Sequence, residues 1–192
     1  MHLDVIGIGA NSPKDVNVVV EIALGGSIKY EMDKNTGLLV VDRFISTSMF
    51  YPGNYGFIPQ TLSDDGDPLD VMIYHSDPLL LGSIISVRPI GVMIMEDDGG
   101  NDEKILAVPS HNITGLYDKI HSYKDIPNSY LHKVEHFFQH YKDLESGKWA
   151  KLGGWEGIEE AHKTIIEAMK KHDGLCASKS LSSAGGDVSK TS

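Results

Sequence analysis

The chain has 192 residues, 41% of them hydrophobic and 23% charged, a composition expected of one globular domain that buries its core without disulfides or a structural metal. Its 17 basic and 27 acidic residues give a net charge of −10, which argues against nucleic acid or an anionic membrane as partner unless the cations are clustered. An acidic protein acting on an anion needs positive charge in between, so the same balance favours chemistry assisted by a divalent cation. The single cysteine, Cys176, excludes an intramolecular disulfide and suits a reducing compartment. Residues Met1 to Pro13 lack a basic segment followed by a long apolar one, and no run reads as a membrane span, so a cytoplasmic location is expected.

Residues 1–15 read as an irregular lead-in with Gly7, Gly9 and Pro13. From Val16 to Leu24 the apolar residues Val18, Val20, Ile22 and Leu24 alternate, which is a strand period with Glu21 on the other face. A second strand is expected over Ile28–Met32, where Lys29 and Glu31 project together opposite Ile28, Tyr30 and Met32. The turn signal Asn35-Thr36-Gly37 leads into a third, Leu38–Phe44. Residues 46–70, rich in Gly, Pro, Asp and Tyr, read as a long polar loop, and such loops often carry function. Further strands are expected over Val71–Tyr74, Ile84–Met95 and Ile105–Pro109, with an acidic turn at Asp97–Asp102. The period then becomes helical. Leu131, Val134, Phe138, Tyr141 and Leu144 predict a helix over 128–145, and Trp155, Ile158, Ala161, Ile165 and Met169 a second. From Gly174 the chain loses periodicity, so the reading is one domain over 1–173 and a disordered tail over 174–192. Many short strands followed by two helices predict a mainly β, α+β fold with a small barrel.

Asp65, Asp67 and Asp70, preceded by Asp64, bring carboxylates together around Gly66 and Pro68. Such a cluster repels itself unless a cation sits within it, and hard oxygen donors suit magnesium, manganese or calcium. A D-x-D segment is more often a solvated turn. A calcium loop of EF-hand type would need Glu at its twelfth position, where His75 or Ser76 stands instead. The second acidic turn, with Asp97, Asp102 and the adjacent Lys104, raises the prospect of a site for more than one metal ion. Lys29, Arg43, Lys104 and Lys142 are each surface charges on the simplest reading, although Lys29 shares a strand face with Glu31. Tyr51 and Tyr55 either pack over the barrel mouth or donate to a phosphate oxygen. The simplest roles are core packing for Tyr141 and a solvated surface for Lys142. His136 and His140 stand one helical turn apart and suit a packing or subunit surface better than a metal. No HExxH, P-loop or nucleophile-elbow pattern is present.

Taken together and in order, these segments resemble the soluble family I inorganic pyrophosphatases of bacterial type. The resemblance runs from about Val16 to about Lys171, leaving the lead-in and the tail outside it. It is carried by Ile28-Lys29-Tyr30-Glu31, by Val41-Asp42-Arg43-Phe44 through Tyr55-Gly56, and by Asp65–Val71, which matches the signature D-x-D-P-x-D-V. Asp97, Asp102, Lys104 and Tyr141-Lys142 continue it. It implies a five-stranded OB-like barrel flanked by two C-terminal helices, and hydrolysis of pyrophosphate to two phosphates. It implies several magnesium ions, replaceable by manganese, with Asp65, Asp70 and Asp102 as principal ligands, Asp70 shared, and Asp97 and Asp102 holding a metal that arrives with substrate. Glu31 and Glu21 would act mostly through water, with Tyr51 in support. Lys29, Tyr55 and Lys104 would bind the attacked phosphoryl group, and Arg43, Tyr141 and Lys142 the leaving phosphate. Asp67 would be the general base. The resemblance also implies a hexamer, with His136, His140 and Asp143 at a subunit interface. The alternatives from other classes are an OB-like single-strand-binding module and a structural calcium domain without activity.

Overall fold

The computed structural model describes residues 5–34 and 36–184. Nine strands and two α-helices are present among them: β1 (Val16–Ile22), β2 (Ile28–Met32), β3 (Leu39–Phe44), β4 (Asn54–Phe57), β5 (Asp70–Ile73), β6 (Ile84–Asp97), β7 (Gly100–Asn101), β8 (Lys104–Pro109), α1 (Asn128–His140), β9 (Ala150–Glu156) and α2 (Ile158–Ala184). Strands β1, β4, β5, β8 and β6 pair in that order, and β6 pairs back onto β1, closing a five-stranded ring. Closure leaves no unpaired ladder inside the ring. The long β6 then extends beyond the ring to pair with β7 and β9. Strands β2 and β3 form a separate two-stranded sheet. The mainly β barrel with two helices is therefore the fold of this chain.

Alternation along the ring strands divides the core in two. Val16, Val18, Val20, Val71, Ile73, Ile105 and Ala107 cluster with Ala161, Ile165 and Ala168 of α2. Met72, Leu106 and Val108 cluster with Leu131, Val134, Phe137 and Phe138 of α1. Each helix thus buries the middle of its expected apolar stripe, Leu131, Val134 and Phe138 on α1 and Ala161 and Ile165 on α2.

Several elements differ from the sequence reading. Strand β4 lies inside the expected loop, where Gly and Pro on either side hide a four-residue, fully buried segment. Gly56 is required there. A Cβ on it would stand 1.9 Å from the Val19 carbonyl oxygen of β1, so only a bare backbone fits. Trp155 belongs to β9 rather than to the second helix. Its ring stacks on Tyr123 and its Nε1–H donates to Glu135 at 2.7 Å. The Gly153-Gly154 pair masks that strand. Helix α1 ends at His140, and Leu144 beyond it is exposed rather than part of the buried stripe. Helix α2 continues past Gly174, where a disordered tail was expected. Residues 173–178 are exposed, so this part of the helix needs no apolar period. The rest of that expected tail, 185–192, and Asn35 of the turn signal lie outside the described residues. Among the described residues no helix is long and apolar enough to cross a membrane.

Gly56→Ala forces β1 and β4 apart at the ring closure. We expect it to cost at least about 3 kcal/mol in chemical denaturation. A loss under about 0.5 kcal/mol, typical of a surface substitution, would contradict the close approach.

Candidate active site

Every site residue expected from the sequence lines one cavity of about 260 Å3. The strand registers explain why. Asp70 opens β5 and Lys104 opens β8, and the two are direct partners in a parallel pair, so their side chains meet at 2.5 Å. Lys29 and Arg43 are direct partners in the β2–β3 ladder, which puts both cations on one face. A register shift after Lys29 adds twist at that point.

The segment 63–67 is a tight turn. The Gly66 N–H donates to the Ser63 carbonyl at 3.2 Å, and the Asp67 N–H donates to Asp65 Oδ1 at 2.9 Å. Gly66 has φ +89°, a backbone geometry that suits glycine. Buried Thr61 ties the start of the segment to its end, because its hydroxyl donates to the Ile58 carbonyl and accepts from the Leu69 N–H. The second acidic turn is the β6–β7 hairpin, in which the Gly99 N–H donates to Asp97 Oδ1 at 2.7 Å. The two turns abut. A Cβ on Gly99 would lie 3.9 Å from the Asp65 Cβ.

Carboxylates and cations are interleaved throughout. Lys104, 3% exposed, donates to both Asp70 and Asp102. Tyr55 Oη donates to Asp70 Oδ2 at 2.6 Å. Lys142, 6% exposed, donates to Asp97 Oδ2 at 2.6 Å and to Asp98 Oδ1 at 3.3 Å, so it is far from a solvated neighbour. Lys29 pairs with Glu31 and approaches Asp42 to 3.5 Å. Lys34 donates to Asp67 Oδ1 at 2.8 Å. Tyr141 stacks on Phe137 and also lines the cavity, so packing and site roles coincide there. Tyr51 is buried against Tyr55 and Phe137. His136 and His140 lie outside the cavity, with His140 Nδ1 2.8 Å from Asp143 Oδ2.

Burial governs the proton affinities here. It lifts Glu21 to about 8, partly opposed by the Met32 N–H that donates to it at 2.7 Å. It raises Asp65 as well, and it raises Asp102 against the pull of Lys104. Burial also works to lower the Lys104 ammonium, but Asp70 and Asp102 leave it raised. At Asp97, burial is outweighed by Lys142 and the Gly99 N–H, and the carboxyl falls below its ordinary range. The Tyr55 and Tyr141 phenols are raised by burial and by nearby aspartates, so they remain hydrogen-bond donors at neutral pH.

Among the described residues no three His, Cys, Asp or Glu side chains stand close enough together to hold an ion as they are arranged. Lysine ammonium groups occupy the positions between the carboxylates. The donor set nonetheless suits hard divalent cations. Asp65, Asp70, Asp97 and Asp102 supply only oxygen, in one cavity, and desolvation of two of them is a cost that a cation would relieve. Sequence reading missed Lys34, Asp42, Asp98, Glu145 and Lys148: Lys34, Asp98 and Glu145 pair with the expected Asp67, Lys142 and Arg43 across long stretches of chain, Asp42 pairs with the adjacent Arg43, and Lys148 pairs with Asp98. Only Asp42 and Asp98 carried a signal, each lying next to an expected residue.

A closed five-stranded barrel bearing one cavity lined by oxygen donors and buried cations is the architecture that the comparisons with known proteins also find. The chain belongs to the inorganic pyrophosphatase family, whose sequence model matches residues 18–173. It is 61% identical over 173 residues to the inorganic pyrophosphatase of Agrobacterium fabrum, covering 90% of this chain and 98% of the relative. The structure of an inorganic pyrophosphatase from Coxiella burnetii superimposes with a TM-score of 0.81 at 48% identity, covering 86% of this chain and 96% of the other. That from Thermus thermophilus gives 0.86 at 36% identity, covering 90% and 99%.

Glu21 offers a test of the burial argument. Its folded-state value near 8 lies above the ordinary 4.5, so the folded chain holds a proton that the unfolded chain releases. Stability from this group is complete below about 4.5 and is lost as pH rises through about 8. In metal-free buffer, Glu21→Gln should therefore gain on the parent by on the order of 1 kcal/mol per pH unit across that interval, then level off. A difference in stability that is constant with pH would show that Glu21 titrates like an exposed carboxylate.

Proposed function

We propose that this chain hydrolyses inorganic pyrophosphate to two orthophosphates, with Asp65, Asp70, Asp97 and Asp102 holding magnesium ions, Glu31 assisting through water, and Asp67 as general base. The observation that carries the reading is the interleaving itself: buried Lys104 and Lys142 share one cavity with six aspartates, in a chain of net charge −10. A cavity of one sign would bind either the anion or the metals, and this one is built for both.

Bound magnesium, or manganese in its place, would neutralise phosphate charge and make a water more acidic. The chain's own groups do the rest. Lys29, Lys104 and Tyr55 bind the phosphoryl group under attack, and Arg43, Tyr141 and Lys142 bind the phosphate that leaves. Their field is strongest where water is scarce, as around Lys104 and Lys142. Tyr55 Oη, whose donor goes to Asp70 here, turns it to a phosphoryl oxygen when substrate binds. Asp67 takes the proton of the attacking water. Lys34 engages only its Oδ1, which leaves Oδ2 without a protein partner among the described residues. The water oxygen bonds to phosphorus, the bridging P–O bond breaks, and the electron pair goes to the departing phosphate beside Arg43 and Lys142. The working form is a homo-oligomer, a hexamer, with His136, His140 and Asp143 at a subunit contact. The compartment is the cytoplasm.

Incubation with pyrophosphate and magnesium should release orthophosphate, and a chelator should stop it. Asp67→Asn should keep magnesium affinity, measured by calorimetry, while losing at least about 100-fold in kcat. Turnover equal to the parent would remove Asp67 from the base role. Absence of phosphate release from neutral to alkaline pH would sink the activity itself.

A further inference from the structure

Glu145 is absent from every role described so far, yet it makes the tightest contact of any group to Arg43. Its Oε2 accepts from Arg43 Nη1 at 2.7 Å across 102 residues of chain separation. Its side chain is 16% exposed, and its second oxygen, Oε1, is buried with no partner. A desolvated carboxylate with one oxygen unused is held by that single charge-assisted bond and has little freedom to look elsewhere.

The backbone explains what the bond connects. Beyond α1 the chain makes a tight turn in which the Glu145 N–H donates to the Lys142 carbonyl at 2.8 Å and the Lys148 N–H to the Glu145 carbonyl at 3.2 Å. Glu145 is therefore fixed to the turn that carries Tyr141 and Lys142. Arg43 comes from the other side, on a two-stranded sheet separate from the barrel. Its Nε lies 3.0 Å from Asp42 Oδ2, an ion pair without hydrogen-bond alignment. With Nη1 taken by Glu145, the Nη2 group has no protein partner among the described residues and stays available to a ligand.

We infer that Glu145 is a positioning residue: it draws Arg43 from the β2–β3 sheet to the Tyr141–Lys142 turn and fixes the guanidinium so that its free edge meets the departing phosphate. The inference rests on the proposed role of Arg43 as a phosphate ligand. A long side chain held in its binding pose before the ligand arrives gives up less freedom on binding, so the contact raises affinity without touching the anion.

A double-mutant cycle tests it, with Kd for orthophosphate in the presence of magnesium and kcat/KM for pyrophosphate as readouts. Glu145→Ala should weaken phosphate binding and lower kcat/KM, each by about tenfold. Glu145→Gln, the same size and still an acceptor, should recover part of the loss. In an Arg43→Ala background, Glu145→Ala should cause no further change, which a merely structural defect would not spare. Equal losses in both backgrounds, or no loss in the parent background when Arg43→Ala alone weakens binding, would overturn the assignment to Glu145. If Arg43→Ala alone leaves phosphate binding intact, the role of Arg43 fails first and the positioning role goes with it.

Discussion

Opposite charges share one poorly hydrated cavity, and each makes the other tolerable there. Lys104 alone would be costly at 3% exposure, and so would Asp70 and Asp102 beside it without a cation. The same holds for Lys142 with Asp97 and Asp98. Neutralisation within the cavity keeps the site charged and buried at once. It also means that every expected phosphate-binding cation begins with a carboxylate partner: Lys29 with Glu31, Arg43 with Glu145, Lys104 with Asp70, Lys142 with Asp97. For phosphate to gain a lysine, a carboxylate has to lose one, and a hard metal ion is the natural replacement.

The fold supplies this arrangement through register rather than through any single loop. Ring closure by β1 and β6 fixes β5 and β8 side by side, and their parallel register aligns Asp70 with Lys104. The β6–β7 hairpin brings Asp97 next to the 63–67 turn. Helix α1, seated by Leu131, Val134, Phe137 and Phe138, delivers Tyr141 and Lys142 at its end. The β2–β3 sheet lies outside the ring, which is why it and the turn joining its strands depend on side-chain links such as Glu145 to Arg43 and Lys34 to Asp67.

The sequence was legible wherever one residue's environment repeats at a fixed spacing. The alternation in β1 and β2 and the apolar stripes of α1 and α2 are visible because a packing environment repeats along each, as Val16, Val18 and Val20 do in one cluster. Strands β4 and β9 were not, because Gly56 and Gly153-Gly154 serve close backbone approach or turning and carry no alternating side chains. Within the site, the acidic signature and its partners were readable from residue order and their resemblance to a family. The pairing partners Lys34, Glu145 and Lys148 were not, since an ion pair formed across tens of residues leaves no local pattern. The extension of α2 past Gly174 escaped for the opposite reason: an exposed helix needs no apolar period.

If the aspartates hold magnesium as proposed, they release their lysines to it, and magnesium and phosphate should strengthen each other's binding. Calorimetric titration of orthophosphate into the intact protein, with magnesium absent and then saturating, measures that coupling directly. Magnesium should tighten phosphate binding by at least about tenfold, and phosphate should tighten magnesium binding by the same factor. Equal phosphate affinity in both conditions would mean that the lysines are free to bind anions without displacement, contradicting mutual neutralisation as the organising constraint of the site.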